Sequence, residues 1–169
     1  MTASTKTLIL IRHAKSDWNS GIRTDFLRTL NARGKRDAPV MGARIYAKIP
    51  VIDRFISSPA TRAKTTARLF AESWQITEDQ IQYIPDLYHA PVAVFKEVVT
   101  GLNDQWNTVA IFSHNPGITD FVNILNPLVH LDNMPTCGVF ACQSNQQKWA
   151  DFFSEPAAFL FFDYPKQVI

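Results

Sequence analysis

The sequence predicts an α/β sandwich. A mostly parallel central sheet is flanked by helices, and antiparallel strands join it toward the C-terminus. Three observations predict this. Leu8 to Ile11, Phe55–Ile56 and Val109 to Phe112 are short apolar runs with no alternating polar position, so they read as strands buried on both faces. Segments with helical patterning separate them, which is the alternation of an α/β fold. The last third of the chain turns aromatic and β-rich.

The elements follow in order. Thr7 to Ile11 is the first strand, and Asn19 to Thr29 is a long, polar, irregular connection over the top of the sheet. Asn31 is an N-cap for a helix from Ala32 to Lys48, which ends near Pro50. Asp53 to Ser57 is the second strand. Pro59 starts a helix that runs to about Trp74. Gln80 to Ile84 reads as a half-exposed third strand, and Pro91 to Leu102 as a helix with Gly101 near its C-terminal cap. Thr108 to Phe112 is the fourth strand. A short helix from Pro116 to Leu125 is stopped by Asn126 and Pro127. Gly138 to Gln143, Trp149 to Phe153 and Phe159 to Tyr164 read as short strands closing the sheet edge.

A length of 169 residues fits a single domain spanning 1–169. The composition, 46% hydrophobic and 19% charged, is that of an ordinary globular protein. A net charge of +2 points to neither nucleic acid nor an anionic membrane as partner. Most of Arg28, Arg33, Lys35, Arg36, Lys64 and Arg68 read as solvated helix faces, with Arg62 set apart as an exception. Cys137 and Cys142 match no zinc or thioredoxin spacing. Both fall in the same expected strand, on opposite faces, as small buried hydrophobes. No metal site or cofactor is expected. No apolar run is long enough to span a bilayer, and the polar N-terminus carries no signal-peptide core, so a cytoplasmic location is expected. The phenylalanines between 152 and 162 read as core and edge packing.

Ligands in open α/β sheets bind beyond the carboxyl ends of the strands. Arg12–His13, Ser57 to Arg62 and Ser113–His114–Asn115 all follow directly on buried strands. Two arginines and two histidines suit a phosphoryl group. Guanidinium forks match phosphate oxygens, and a neutral imidazole is a competent nucleophile.

Four ordered segments then carry a resemblance. Arg12 to Asn19, Leu30 to Gly34, Ser57 to Ala63 and Phe112 to Asn115 resemble the signatures of the histidine phosphatase superfamily, the phosphoglycerate-mutase-like fold. The opening Arg-His-Ala-Lys-Ser is most similar to that of SixA-type phosphohistidine phosphatases, which lack the insertions of sugar-phosphate enzymes. The resemblance implies His13 as the nucleophile, Arg12 and Arg62 as phosphoryl ligands, and His114 as a hydrogen-bond donor to the same group. It implies that Asn19 and Ser16 contact substrate. The reaction implied needs no metal, and the substrate is a phosphorylated protein or small phosphorylated compound.

One departure bears on the substrate. The family's general-acid glutamate has no counterpart in Asp86-Leu87-Tyr88-His89-Ala90, and Asn115 stands where the acid-histidine branch has aspartate. Asp17, Asp86 and His89 remain as alternative donors. An alkoxide needs a proton to leave, whereas imidazole, with a pKa of about 6.5, leaves with little help. The departure therefore favours phosphohistidine over alkyl phosphates. The alternatives are a small-molecule phosphomonoesterase and a phosphate- or phosphoprotein-binding module with little turnover.

Overall fold

The computed structural model describes residues 4–19, 21–22 and 24–167. Its elements run β1 (Lys6–Arg12), α1 (Ala32–Lys48), β2 (Arg54–Ser57), α2 (Thr61–Ala71), β3 (Ile81–Tyr83), α3 (Val92–Thr100), β4 (Thr108–Ser113), α4 (Gly117–Leu125), β5 (Val139–Ser144) and β6 (Ala158–Asp163). The sheet order is β3-β2-β4-β1-β5-β6. β1, β2, β3 and β4 pair in parallel. β5 lies antiparallel to β1, and β6 antiparallel to β5. This is the expected mixed sheet with antiparallel C-terminal strands.

The alternation of side chains along β1 explains the three layers. Leu8 and Leu10 enter a core with Val109, Ile111 and Phe140, covered by Phe95 and Val99 of α3 and Phe121 and Val122 of α4. Ile9 and Ile11 enter the opposite core with Phe55, Phe112 and Val139, covered by Met41 and Ile45 of α1 and Ala67 and Phe70 of α2. A strand with helices on both faces has no solvated side, so its sequence is apolar throughout.

α1 begins where its cap predicts, with the Asn31 side chain accepting from Gly34 N at 2.9 Å. α2 starts at Thr61, two residues after Pro59, and its last turn tightens into a 3-10 turn over Glu72–Trp74.

Two expectations are corrected. Trp149 to Phe153 is not a strand; Trp149–Asp151 is a 3-10 turn. Trp149 and Phe152 are both buried and stack at 5.4 Å. Residues three apart face the same side in a helical turn and opposite sides in a strand, so a turn lets both rings enter one core. Trp149 Nε1 also donates to the Trp106 carbonyl at 2.8 Å. Cys137 lies before β5 rather than in it, with φ 61°, although both cysteines are buried on opposite sides of the sheet as expected.

Candidate active site

Sheet register brings the two histidines together. Arg12 stands opposite Ser113 in the β1–β4 pairing, and His13 N donates to the Ser113 carbonyl at 3.1 Å. The next residue on each strand is therefore a histidine, and the His13 and His114 rings lie 5.3 Å apart. Parallel neighbours end on the same edge of the sheet, which is why two distant segments deliver their side chains to one place.

The loop after β1 is tightly held. Cys137 N donates to the carbonyls of both Arg12 and His13 at 3.1 and 3.0 Å. Ala14 N donates to Thr66 Oγ1 at 2.9 Å, and that hydroxyl donates to the Arg62 carbonyl at 2.7 Å. One buried threonine of α2 thus couples the His13 loop to Arg62. Gly34 closes the other side. A Cβ there would sit 2.1 Å from the Lys15 carbonyl oxygen, so only glycine lets α1 approach the loop this closely.

A pocket of about 230 Å³ opens above these residues. It is lined by Arg12, His13, Ser16, Arg62 and His114, joined by Arg28, Asp25 and His89 among others. His13 Nδ1 sits 2.8 Å from the Ala14 carbonyl oxygen. A carbonyl only accepts, so Nδ1 carries the proton and Nε2 keeps its lone pair. Arg62 Nε donates to that Nε2 at 3.3 Å. Burial pushes the His13 imidazolium down to about 3; the Ala14 hydrogen bond works the other way, and the Arg62, Arg12 and Arg28 charges push further down. His114 is pushed down to about 2 by burial, and then by His13 and Arg62. Both rings are neutral in the folded protein at neutral pH.

Three buried nitrogens around this pocket have no hydrogen-bond partner among the described residues: Arg12 Nε, Arg28 Nε and His114 Nδ1. Such groups are costly, at about 1–3 kcal/mol each, and rare in folded proteins. Their gathering around one cationic pocket marks a site shaped for an acceptor-rich anion.

The sequence-derived residues are placed as follows. Arg12, His13, Arg62, His114 and Ser16 all line the pocket. Ser16 Oγ is engaged as a hydrogen-bond acceptor for Arg28 Nη1. Asn19 is not a lining residue; it is exposed, and its backbone N donates to Asp17 Oδ1 at 2.8 Å. Of the alternative proton donors, His89 lines the pocket while Asp17 and Asp86 do not. Asn115 braces the rim, donating to the Met134 carbonyl at 3.0 Å and accepting from Thr119 Oγ1 at 2.6 Å. That Met134 carbonyl also receives Arg12 Nη1 at 2.8 Å.

Sequence reasoning missed Arg28 and Asp25. Arg28 is not a solvated charge. It is buried, donates to Ser16 and Asp25, and lies 3.6 Å under the exposed Trp18 ring. Asp25 is the hub of the mouth of the pocket. Its carboxylate accepts from Arg28 Nη2 at 2.8 Å, Arg62 Nη2 at 2.9 Å and Tyr88 Oη at 2.6 Å, and lies 3.0 Å from His89 Nε2. Burial works to raise its pKa, but the Tyr88, Arg28 and His89 hydrogen bonds and the Arg62 charge together hold it well below the usual carboxylate range. Asp25 opens a 3-10 turn (Asp25–Leu27) that Arg28 ends, inside a connection expected to be irregular; three residues carry no hydrophobic period, so only their charge was visible in the sequence. Among the described residues no group of three or more His, Cys, Asp or Glu gathers as a metal ion would need. No helix among them is long and apolar enough to cross a membrane.

Comparison with known proteins agrees with this architecture. The sequence model of the histidine phosphatase superfamily (branch 1) matches residues 8–89. An uncharacterized protein of Mycobacterium tuberculosis H37Rv is 28% identical over 165 residues, covering 92% of this chain and 100% of that one. An uncharacterized protein of Mycobacterium leprae is 33% identical over 113 residues, 64% of this chain and 66% of that one. Residues 8–89 thus match the histidine phosphatase superfamily (branch 1), and the chain as a whole shares the fold of phosphatases of that kind.

Within that class its fold is SixA-like. SixA from Agrobacterium tumefaciens superimposes with a TM-score of 0.80 at 21% identity, covering 95% of this chain and 98% of that one. The protein histidine phosphatase SixA complexed with tungstate gives 0.79 at 19% identity, with 94% and 97% covered. A mycobacterial glucosyl-3-phosphoglycerate phosphatase complexed with VO3 gives 0.68 at 17% identity, with 94% and 98% covered.

Proposed function

We propose that this protein removes the phosphoryl group from phosphohistidine in proteins, through a phosphohistidine intermediate on His13 and without a metal. Nε2 of His13 attacks phosphorus, and the bond to the substrate nitrogen breaks with its electron pair going to the departing imidazole. Water then attacks the phosphoenzyme, inorganic phosphate leaves, and the electron pair returns to Nε2. Arg12 and Arg62 bind the equatorial oxygens, and His114 donates to the same group. These roles rest on the resemblance of four sequence segments and on the shared pocket.

The observation that carries the reading is the tautomer of His13. Its proton is held on the Ala14 carbonyl, its lone pair lies on the buried Nε2, and the Arg62 guanidinium stands beside that atom. A nucleophile held neutral next to phosphate-binding groups is what in-line transfer needs. The likeness to SixA proteins supports the substrate class.

The test uses a phosphohistidine-bearing protein, p-nitrophenyl phosphate and an alkyl phosphate. The expected result is turnover of the first two in the presence of a chelator, poor turnover of the alkyl phosphate, and a trapped phosphoenzyme absent from His13→Ala. Turnover that survives His13→Ala refutes the nucleophile. Alkyl phosphate turnover comparable to that of phosphohistidine refutes the substrate class. It would favour a small-molecule phosphomonoesterase with His89, the one pocket-lining alternative donor, protonating the leaving group.

A further inference from the structure

Asp25 poses a problem for any phosphatase reading. It is the only carboxylate lining the pocket among the described residues, and it sits among the groups that would receive a phosphoryl dianion. Arg62 donates both terminal nitrogens to residue 25, Nη1 to its carbonyl at 2.7 Å and Nη2 to its carboxylate at 2.9 Å. A negative charge here repels the substrate's own negative charge, unless the substrate also carries a cation at that point.

Resting on the phosphohistidine reading above, we propose that Asp25 is a specificity-determining residue: its carboxylate grips the protonated distal ring nitrogen of the substrate phosphohistidine. The arrangement already contains the corresponding contact. The imidazole of His89 lies with Nε2 3.0 Å from Asp25 Oδ2, and its ring is 5.3 Å from His114. His89 is half-exposed and free of the core, so a substrate ring can take its place on the carboxylate. Asp25 Oδ1 stays anchored on Arg28, itself clamped by Ser16 and covered by Trp18. Oδ2 then exchanges Arg62, Tyr88 and His89 for the substrate N–H. Arg62 passes its two terminal nitrogens to the phosphoryl oxygens.

The proton matters to the chemistry. With the distal nitrogen protonated, the N–P electron pair returns to a ring that departs as neutral imidazole; without that proton it must depart as the far more basic imidazolate. An anionic carboxylate beside the distal nitrogen stabilises the protonated form of the substrate. An oxygen ester has no cation to offer, so it meets only the repulsion. The same carboxylate thus favours N–P substrates and disfavours O–P substrates, without itself donating a proton.

The experiment compares wild type with Asp25→Asn, which keeps the shape and removes the charge. Rates are measured on a phosphohistidine peptide and on p-nitrophenyl phosphate at pH 7, with inorganic phosphate as competitive inhibitor. The expected result is a fall of about tenfold or more in the ratio of kcat/KM for phosphohistidine over the aryl phosphate. The aryl phosphate rate rises, and inorganic phosphate binds several-fold tighter. The tighter phosphate binding also shows that the variant is folded. An unchanged ratio, with both substrates rising or both falling by one factor, overturns the proposal and leaves Asp25 as mere charge balance or scaffold. Wild type that hydrolyses the aryl phosphate and not the phosphohistidine peptide overturns the proposed function itself, which separates the two failures.

Discussion

Stability should fall between pH 7 and pH 5 because of His13 and His114, and the size of the fall can be worked from the site. Both rings are neutral in the fold, with values of about 3 and about 2 set chiefly by burial. In the unfolded chain each titrates near 6.5. Between those values the unfolded state binds protons that the folded state refuses, so this contribution is intact above about pH 6.5 and is lost as pH falls toward 3. At pH 5 the unfolded chain gains about 2 kcal/mol per imidazole, or about 4 kcal/mol for the pair, by linkage. Against a typical total of about 5–15 kcal/mol this is a large share. The assay is urea denaturation at pH 7, 6 and 5, for wild type and for His13→Gln/His114→Asn. His89 and His130 are present in both proteins and cancel. The wild type should lose several kcal/mol more than the variant over this range. Parallel losses would refute the argument that burial, rather than the solvent, sets the protonation of these rings.

Two further outcomes follow from the packing around the site. Gly34→Ala places a Cβ against the Lys15 carbonyl oxygen, so backbone has to move; stability should fall by about 1–3 kcal/mol by overpacking, with a loss of aryl phosphatase activity as the His13 loop shifts. A thermal melt and a rate measurement check both. Thr66→Val leaves the buried Ala14 N–H without its acceptor and breaks the bridge to Arg62. It should cost about 1–3 kcal/mol in urea denaturation and lower kcat more than it raises KM, because it loosens the two reacting elements relative to each other.

Most of the frame was legible because it is written in local patterns. The helix from Ala32 to Lys48 falls where the Asn31 cap and the stop near Pro50 place it. The strand ends that carry Arg12, His13 and His114 were marked by apolar runs that stop abruptly at polar residues. The Trp149 turn was misread because an aromatic-rich stretch has β-propensity, while the demand to bury Trp149 and Phe152 in one core overrode it. Arg28 was misread because the same arginine is solvated or buried according to what folds over it.

The sequence alone determined most of the strands and helices, and that two imidazoles and one guanidinium stand at strand ends with the second guanidinium, Arg62, in the first turn of the helix after β2. Those properties depend on residues close together in the chain, through burial periodicity, capping and turn chemistry. Tertiary structure alone decided the mouth of the pocket. Asp25 meets Arg62, Tyr88 and His89 from 37, 63 and 64 residues away, from a short 3-10 turn (Asp25–Leu27) in the long connection after β1. Coulombic attraction and hydrogen bonding there act beyond the carboxyl ends of the parallel strands, after the fold has brought the groups together, and leave no period in the sequence.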